Sequence, residues 1–234
     1  SEVAVAADQG EVTREIVVPL DAAARRPLRA VDLRPGTRSL VRGARIAIRS
    51  TSRTAGDAET IVGLWVPGDH PVALPTGTGF AVPGDAEIVV TLRLKKTWEH
   101  EREAMSDRST LALYFADPRA TPVASRAVGD APPPPPPGAV SRGLVTSLAA
   151  PGRLLAVYPT AAAAGAKIVI EIVPKGGLLQ RVLEFKAQRG WERRYWLEEP
   201  LDIPAGAQLQ LSVDWEQARP AAPQGPLVVL NETR

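Results

Sequence analysis

The chain has 234 residues, 44% hydrophobic and 5% aromatic, with no cysteine and a formal net charge of +2. That length allows one large domain or two of roughly 100–130 residues. Disulfides, thiolate metal sites and cysteine nucleophiles are excluded, and so weak a basic balance gives no argument for nucleic acid.

Strand signals dominate the first half. EIVVPL (15–20), RAVDL (29–33), SLVRGARIAIRS (39–50), ETIVGLWV (59–66), AEIVVTLRLKK (86–96) and STLALYFA (109–116) are rich in β-branched residues. Turn sequences such as RPGT, VPGDHP and PTGTG separate them. WEHEREAMSD (98–107) reads as a loop with one helical turn. The run APPPPPPG (131–138) forms a stiff polyproline rod, an interdomain spacer or, alternatively, a docking ligand for an SH3-like partner.

Beyond the spacer, GLVTSL, RLLAVYP, AKIVIEIVP, LQRVLEF, RRYWLEEPLDI, AQLQLSVDW and PLVVL read as strands. Short strands at this spacing predict an all-β fold of two tandem antiparallel jelly-roll or β-sandwich domains. The expected boundaries are 1–120 and 141–234, with a Pro-rich linker at 121–140.

Charge is uneven. From Asp21 to Arg53 there are nine arginines against two aspartates. This is a solvated surface or a contact face for an acidic protein or anionic lipid headgroups, with Arg42, Arg45 and Arg49 as the candidate partner-binding residues. Strand alternation sets Arg42 opposite Arg45 and Arg49 unless Gly43 carries a bulge. No apolar run reaches the length of a membrane helix, and no signal peptide is visible. The chain starts at Ser1 and its one methionine is Met105, so the native N-terminus reads as processed, trimmed or left out, which leaves room for a signal peptide or anchor without requiring one.

Two stretches carry a resemblance. They are GLWVPGDHPVALPTGTGFAVPGDAEIVVTLRLKK with DRSTLALYFA, and LLAVYPTAAAAGAKIVIEIVPKGGLLQRVLEF with WERRYWLEEPLDIPAGAQLQLSVDW. Together, over about residues 15–220, they resemble the copper type II, ascorbate-dependent monooxygenases, the family of the peptidylglycine and dopamine β-hydroxylases. The resemblance implies two jelly-roll domains and a copper chemistry held by imidazoles and one thioether.

The positions implied for those ligands hold other residues. Val41, Arg42, Gly43 and Ala44 stand where a His-His pair is implied, and Arg93 where a further His is. Pro159 and Gly165 flank a loop whose His positions are Thr160 and Ala162. No methionine stands near the C-terminus. The alanine tract therefore occupies the place of a copper-binding loop. Only His70 and His100 are present, and neither matches a ligand position, so no metal or cofactor is expected.

Other chemistries find little support. No GxSxG, P-loop or GxGxxG occurs. Adjacent Glu198 and Glu199 point to opposite faces of a strand. Trp191, Tyr195 and Trp196 could stack on a sugar or base, but read better as packing, as do Trp65 and Trp215. The expectation is thus a non-catalytic accessory subunit with no catalytic residues. It binds protein subunits of a membrane-associated, electron-transfer complex in the periplasm or another extracytoplasmic space. The alternatives are an enzyme with a relocated or partner-completed active site, and a carbohydrate- or lipid-binding module.

Overall fold

The computed structural model describes residues 2–21, 26–52, 59–128, 141–148, 151–159, 165–188, 193–215 and 227–233. The hexaproline run, the alanine tract with Thr160 and Ala162, and Trp191 lie outside the described residues. The protein is an all-β chain of antiparallel sandwiches, divided into two compact units, Ser1–Pro122 and Val123–Arg234. None of the helices described is long and apolar enough to cross a membrane.

The N-terminal unit holds β1 (Val3–Val5), β2 (Glu11–Pro19), β3 (Leu28–Arg34), β4 (Val41–Ser50), β5 (Thr60–Trp65), β6 (Thr78–Gly79), β7 (Ala86–Lys95), β8 (Met105–Asp107) and β9 (Thr110–Phe115). Its main sheet has the order β2-β7-β4-β5; two short pairs, β3-β9 and β1-β8, stand beside it. WEHEREAMSD has the expected helical turn and, beyond the expectation, a short strand. A 3-10 turn at Trp98–His100 leads into β8.

Alternation decides which face of the main sheet is core. Ile46, Ile48, Ile88, Val90 and Leu92 share one face and are nearly or fully buried. β3 crosses this face where β5 has Gly63. A Cβ there would run into the Val31 side chain and lie 3.2 Å from Ile46 Cδ1. Only glycine lets the two layers close so tightly at that corner.

Two buried polar groups pin the surrounding loops. Asp107, 1% exposed, accepts from Thr37 N and Ser109 Oγ, each at 2.7 Å. Lys96, 6% exposed, donates from Nζ to the carbonyls of Ala6 (2.6 Å), Ala7 (3.1 Å) and Glu101 (3.4 Å). Both are hydrogen-bonded, as buried charges must be.

Residues 121–128 of the expected linker form β10 (Thr121–Val128), and the boundary between the units falls within it. Its sequence, TPVASRAV, lacks the dense β-branched signal of the other strands. The C-terminal unit continues with β11 (Ser141–Leu148), β12 (Gly152–Pro159), β13 (Lys167–Val173), β14 (Gln180–Lys186), β15 (Tyr195–Ile203), β16 (Ala207–Asp214) and β17 (Leu227–Thr233). One sheet has the order β11-β16-β13-β14; in the other, β17 lies between β10 and β12, and β15 follows β12. AQLQLSVD shows the principle. Ala207, Leu209, Leu211 and Val213 are buried, and the residues between them are not. These side chains meet Leu154, Val157 and Ile203 of the opposing sheet in one continuous core.

Candidate functional site

The arginine-rich segment is placed by a bulge in β4. Val41 pairs with Leu94 and Gly43 with Arg93, so Arg42 is the inserted residue. Directly paired residues of an antiparallel sheet project from the same face. Gly43, Arg45 and Arg49 therefore share a face with Arg93 and Glu87, opposite Val41. Arg45 Nη1 lies 2.7 Å from Glu59 Oε2. Arg49 lies 2.5 Å from Glu87 Oε1 and 3.6 Å from both Glu15 and Glu59. Lys95 Nζ is 3.3 Å from Glu11 Oε2. The hydrogen bond to Glu87, foremost, raises the Arg49 guanidinium further above its ordinary value.

Arg45 and Arg49 are thus met by glutamates from other parts of the chain. Three arginines earlier in the segment also bond to their own protein. Arg26 Nη2 donates to Ala116 O at 3.0 Å, Arg29 Nε to Leu74 O at 3.2 Å, and Arg34 Nε to Asp32 Oδ2 at 2.9 Å. Glu15 and Glu87 lie far from Arg49 along the linear sequence, so these pairings were not legible there.

Arg93 tests the implied copper site. Its Nη2 donates to the carbonyl of Arg42 at 3.3 Å, across the bulge. A guanidinium has no lone pair to give a metal. His70 is exposed, and His100 Nδ1 pairs with Glu103 Oε2 at 3.0 Å. No group of three or more His, Cys, Asp or Glu able to hold a metal occurs among the described residues. These residues do not fit the copper centre that the resemblance implies.

In the C-terminal unit an open cleft of about 510 Å³ lies where β13, β14 and β16 end, against Gly165, Phe185 and Trp215. Lys167, Glu184, Lys186 and Asp214 supply its charges. Lys167 Nζ lies 2.7 Å from Glu184 Oε1, and Arg181 Nη1 lies 3.0 Å from Glu184 Oε2. The Lys167 hydrogen bond, first, and its charge hold the Glu184 carboxyl below its ordinary value. Charges that satisfy one another in this way make a salt-bridged rim rather than an acid–base pair.

Of the WERRYWL segment, residues 193–197 are described, and their rings and guanidinium groups stack. Phe185 and Tyr195 have ring centroids 4.3 Å apart, tilted by 34°. Arg193 lies 5.9 Å over Tyr195, and Arg194 lies 5.5 Å over Trp196. Burial lowers the Arg194 guanidinium to about 10 and raises the Tyr195 phenol. Trp65, Trp196 and Trp215 are each half-buried. Glu198 and Glu199 are both exposed, in a stretch of β15 that bulges out opposite Leu155. Exposed large apolar side chains lie elsewhere, at Trp98 (83%) on the 3-10 turn and Leu178 (87%) on the β13–β14 turn.

Sequence reading missed a second cleft, in the N-terminal unit. It holds about 250 Å³ and is walled by Ile16 and Val18 of β2, Ile88 and Val90 of β7, and Leu111 and Leu113 of β9. The main sheet is closed against β3 at Gly63 but gapes at β2. Val12, beside β1, is 9% exposed; Val18, on the same face and beyond β1, is 46% exposed. The signal lay in IVV of β2 and LALYF of β9, which carry apolar residues at both parities.

No family model matches the chain, and no curated protein does. Among solved structures, one similar chain is a xanthan lyase from Paenibacillus, at 9% identity and a TM-score of 0.26. The alignment covers all of this chain and 25% of the lyase, so the chain spans about a quarter of that protein. A likeness at that TM-score carries no functional argument.

Proposed function

We propose that the chain is a non-catalytic accessory subunit on a copper-monooxygenase-like scaffold. It works by binding other proteins in an extracytoplasmic, membrane-associated complex, with an electron-transfer assembly as the client. The observation that carries this reading is Arg93. It stands where the resemblance implies a metal-binding imidazole, and its guanidinium is instead tied to the backbone of the β4 bulge. Trp98 and Leu178 support the binding half, since each holds a large apolar side chain in water on an ordered turn.

The test is purification of the native protein from its source membranes in mild detergent, with mass spectrometry and metal analysis of what comes with it. Membrane subunits at fixed stoichiometry are the expected result. A protein that purifies alone, or with one or two copper ions per chain, overturns the reading.

A further inference from the structure

The cleft in the N-terminal unit lies between two strand edges. β2 ends the main sheet, and β9 has β3 along one edge and no described strand along the other. Sheet edges are usually guarded by charge, proline or a twist. β9 reads TLALYF, with neither charge nor proline over its six residues.

Strand β1 shows what fits there. It pairs antiparallel with β8, from Val3 opposite Asp107 to Val5 opposite Met105. The other side of residues 106–108 is held by the turn after β3, through Thr37 N to Asp107 Oδ1 and Thr37 Oγ1 to Ser106 O, with Gly36 against the Arg108 backbone. β1 therefore occupies the side on which β9 is open. A strand laid along that side of β9 lies end to end with β1 and covers Ile16 and Val18.

Resting on the accessory reading above, we propose that this cleft receives an extended strand from a partner protein, antiparallel to β9. The partner's alternate apolar side chains fill the cleft. Strand addition suits the site better than an acyl chain does. A strand pairs the open N–H and C=O groups of β9, whereas a hydrocarbon would cover them unpaired. The polar group in the lining, Ser109 Oγ, already donates to Asp107 Oδ2 at 2.7 Å. Six partner residues present three side chains to the cleft. Arg14 lies between Val12 and Ile16 on the cleft face of β2, which favours a carboxylate at the C-terminal end of the incoming strand.

The probe is the synthetic heptapeptide Val-Thr-Val-Thr-Val-Thr-Asp, whose valines and terminal aspartate share one face. The expected result is saturable binding that slows hydrogen exchange at alternate β9 amides by at least tenfold. Val18→Lys should weaken binding at least tenfold while leaving the unfolding midpoint unchanged. Leu111→Lys should do the same or more, read against its own unfolding curve.

Several outcomes overturn the proposal. One is a β9 whose exchange the peptide does not alter; another is undiminished binding to Val18→Lys. A third is competition by decanoate that itself slows β9 exchange, which would make the cleft an acyl site. A fourth is β9 already protected without peptide, by a second copy in a sedimenting dimer or by residues preceding Ser1 in the chain made by its source. The accessory reading fails separately. If Val18→Lys still purifies with the same membrane subunits, the complex stands and the strand site falls. If the peptide binds and no complex purifies, the reverse holds.

Discussion

In the C-terminal unit, four strands of one sheet face four of another, and the core between them is continuous from Leu144 to Val213. In the N-terminal unit, a four-stranded sheet has two short pairs beside it, β3-β9 and β1-β8. The first arrangement buries alternate residues of β16 and a nearly continuous run of β12. The second closes at Gly63 and leaves Val18 46% exposed at the other side. Burial needs a partner layer as wide as the sheet it covers. Where the layer stops short, an apolar face with open backbone groups remains, and such a face is a means of binding.

Truncation of the closed core should show the larger effect. Leu211 is 1% exposed inside the C-terminal core. Leu211→Ala removes three buried carbons and leaves a cavity that packed neighbours cannot fill, at a cost of about 3–4 kcal/mol. Urea unfolding followed by hydrogen exchange should report this loss at β11, β13 and β16. A cost under 1 kcal/mol would mean that this core is no tighter than the open one.

Gly63→Ala tests the closed corner of the N-terminal unit. The new methyl group meets Val31, whose branched side chain has little freedom to move. Overpacking of this kind costs about 2 kcal/mol, read as a lower urea midpoint for the β3 and β5 amides. Unchanged exchange there would show that the layers can separate without penalty.

At the open side the effect should shrink again. Leu113 is half-buried and faces a cleft that already exists. Leu113→Ala therefore loses part of a transfer term and creates no sealed cavity, about 1 kcal/mol. If it costs as much as Leu211→Ala, the cleft is a closed core and the comparison fails.

Sequence pattern carried the strands well where alternation was strong, as in AQLQLSVD and AEIVVTLRLKK, which became β16 and β7. It missed β1, β6, β8 and β10, whose two to eight residues include small, polar or proline positions that alternate weakly. The bulge at Arg42 was legible as a possibility, because a glycine followed it. Its consequence was not, since the shift of face depends on pairing with β7. The charge excess of residues 21–53 was visible, but Glu15, Glu59 and Glu87, which oppose Arg45 and Arg49, reach the same face only through folding. The apolar cleft needed the two-layer geometry itself. A run such as LALYF says that both faces are apolar, not that one of them lacks a neighbour.

The smallest effects separate the units by the kind of carboxylate each uses. In the N-terminal unit Asp85 accepts from Ser52 N (2.8 Å), Ser50 Oγ (2.8 Å) and Thr51 Oγ1 (3.1 Å). Hydrogen bonds from Ser52, then Ser50, hold it well below the usual carboxylate range. In the C-terminal unit Glu184 is lowered by Lys167 and, more weakly, by the charge of Arg181. Both folded values are depressed. Each contribution is therefore complete above the unfolded pKa, near about pH 4, and is lost as pH falls through the folded value. Salt should tell them apart. The donors to Asp85 are neutral, so 1 M NaCl at pH 7 leaves that turn unchanged. The exposed Lys167–Glu184 pair is screened over about 3 Å at that salt. Amide exchange should then quicken around β13 and β14 in wild type but not in Glu184→Gln. Asp85→Asn should quicken exchange at Ser52 at either salt concentration. An equal response of both units to salt would mean that Asp85 is held by charge rather than by its turn.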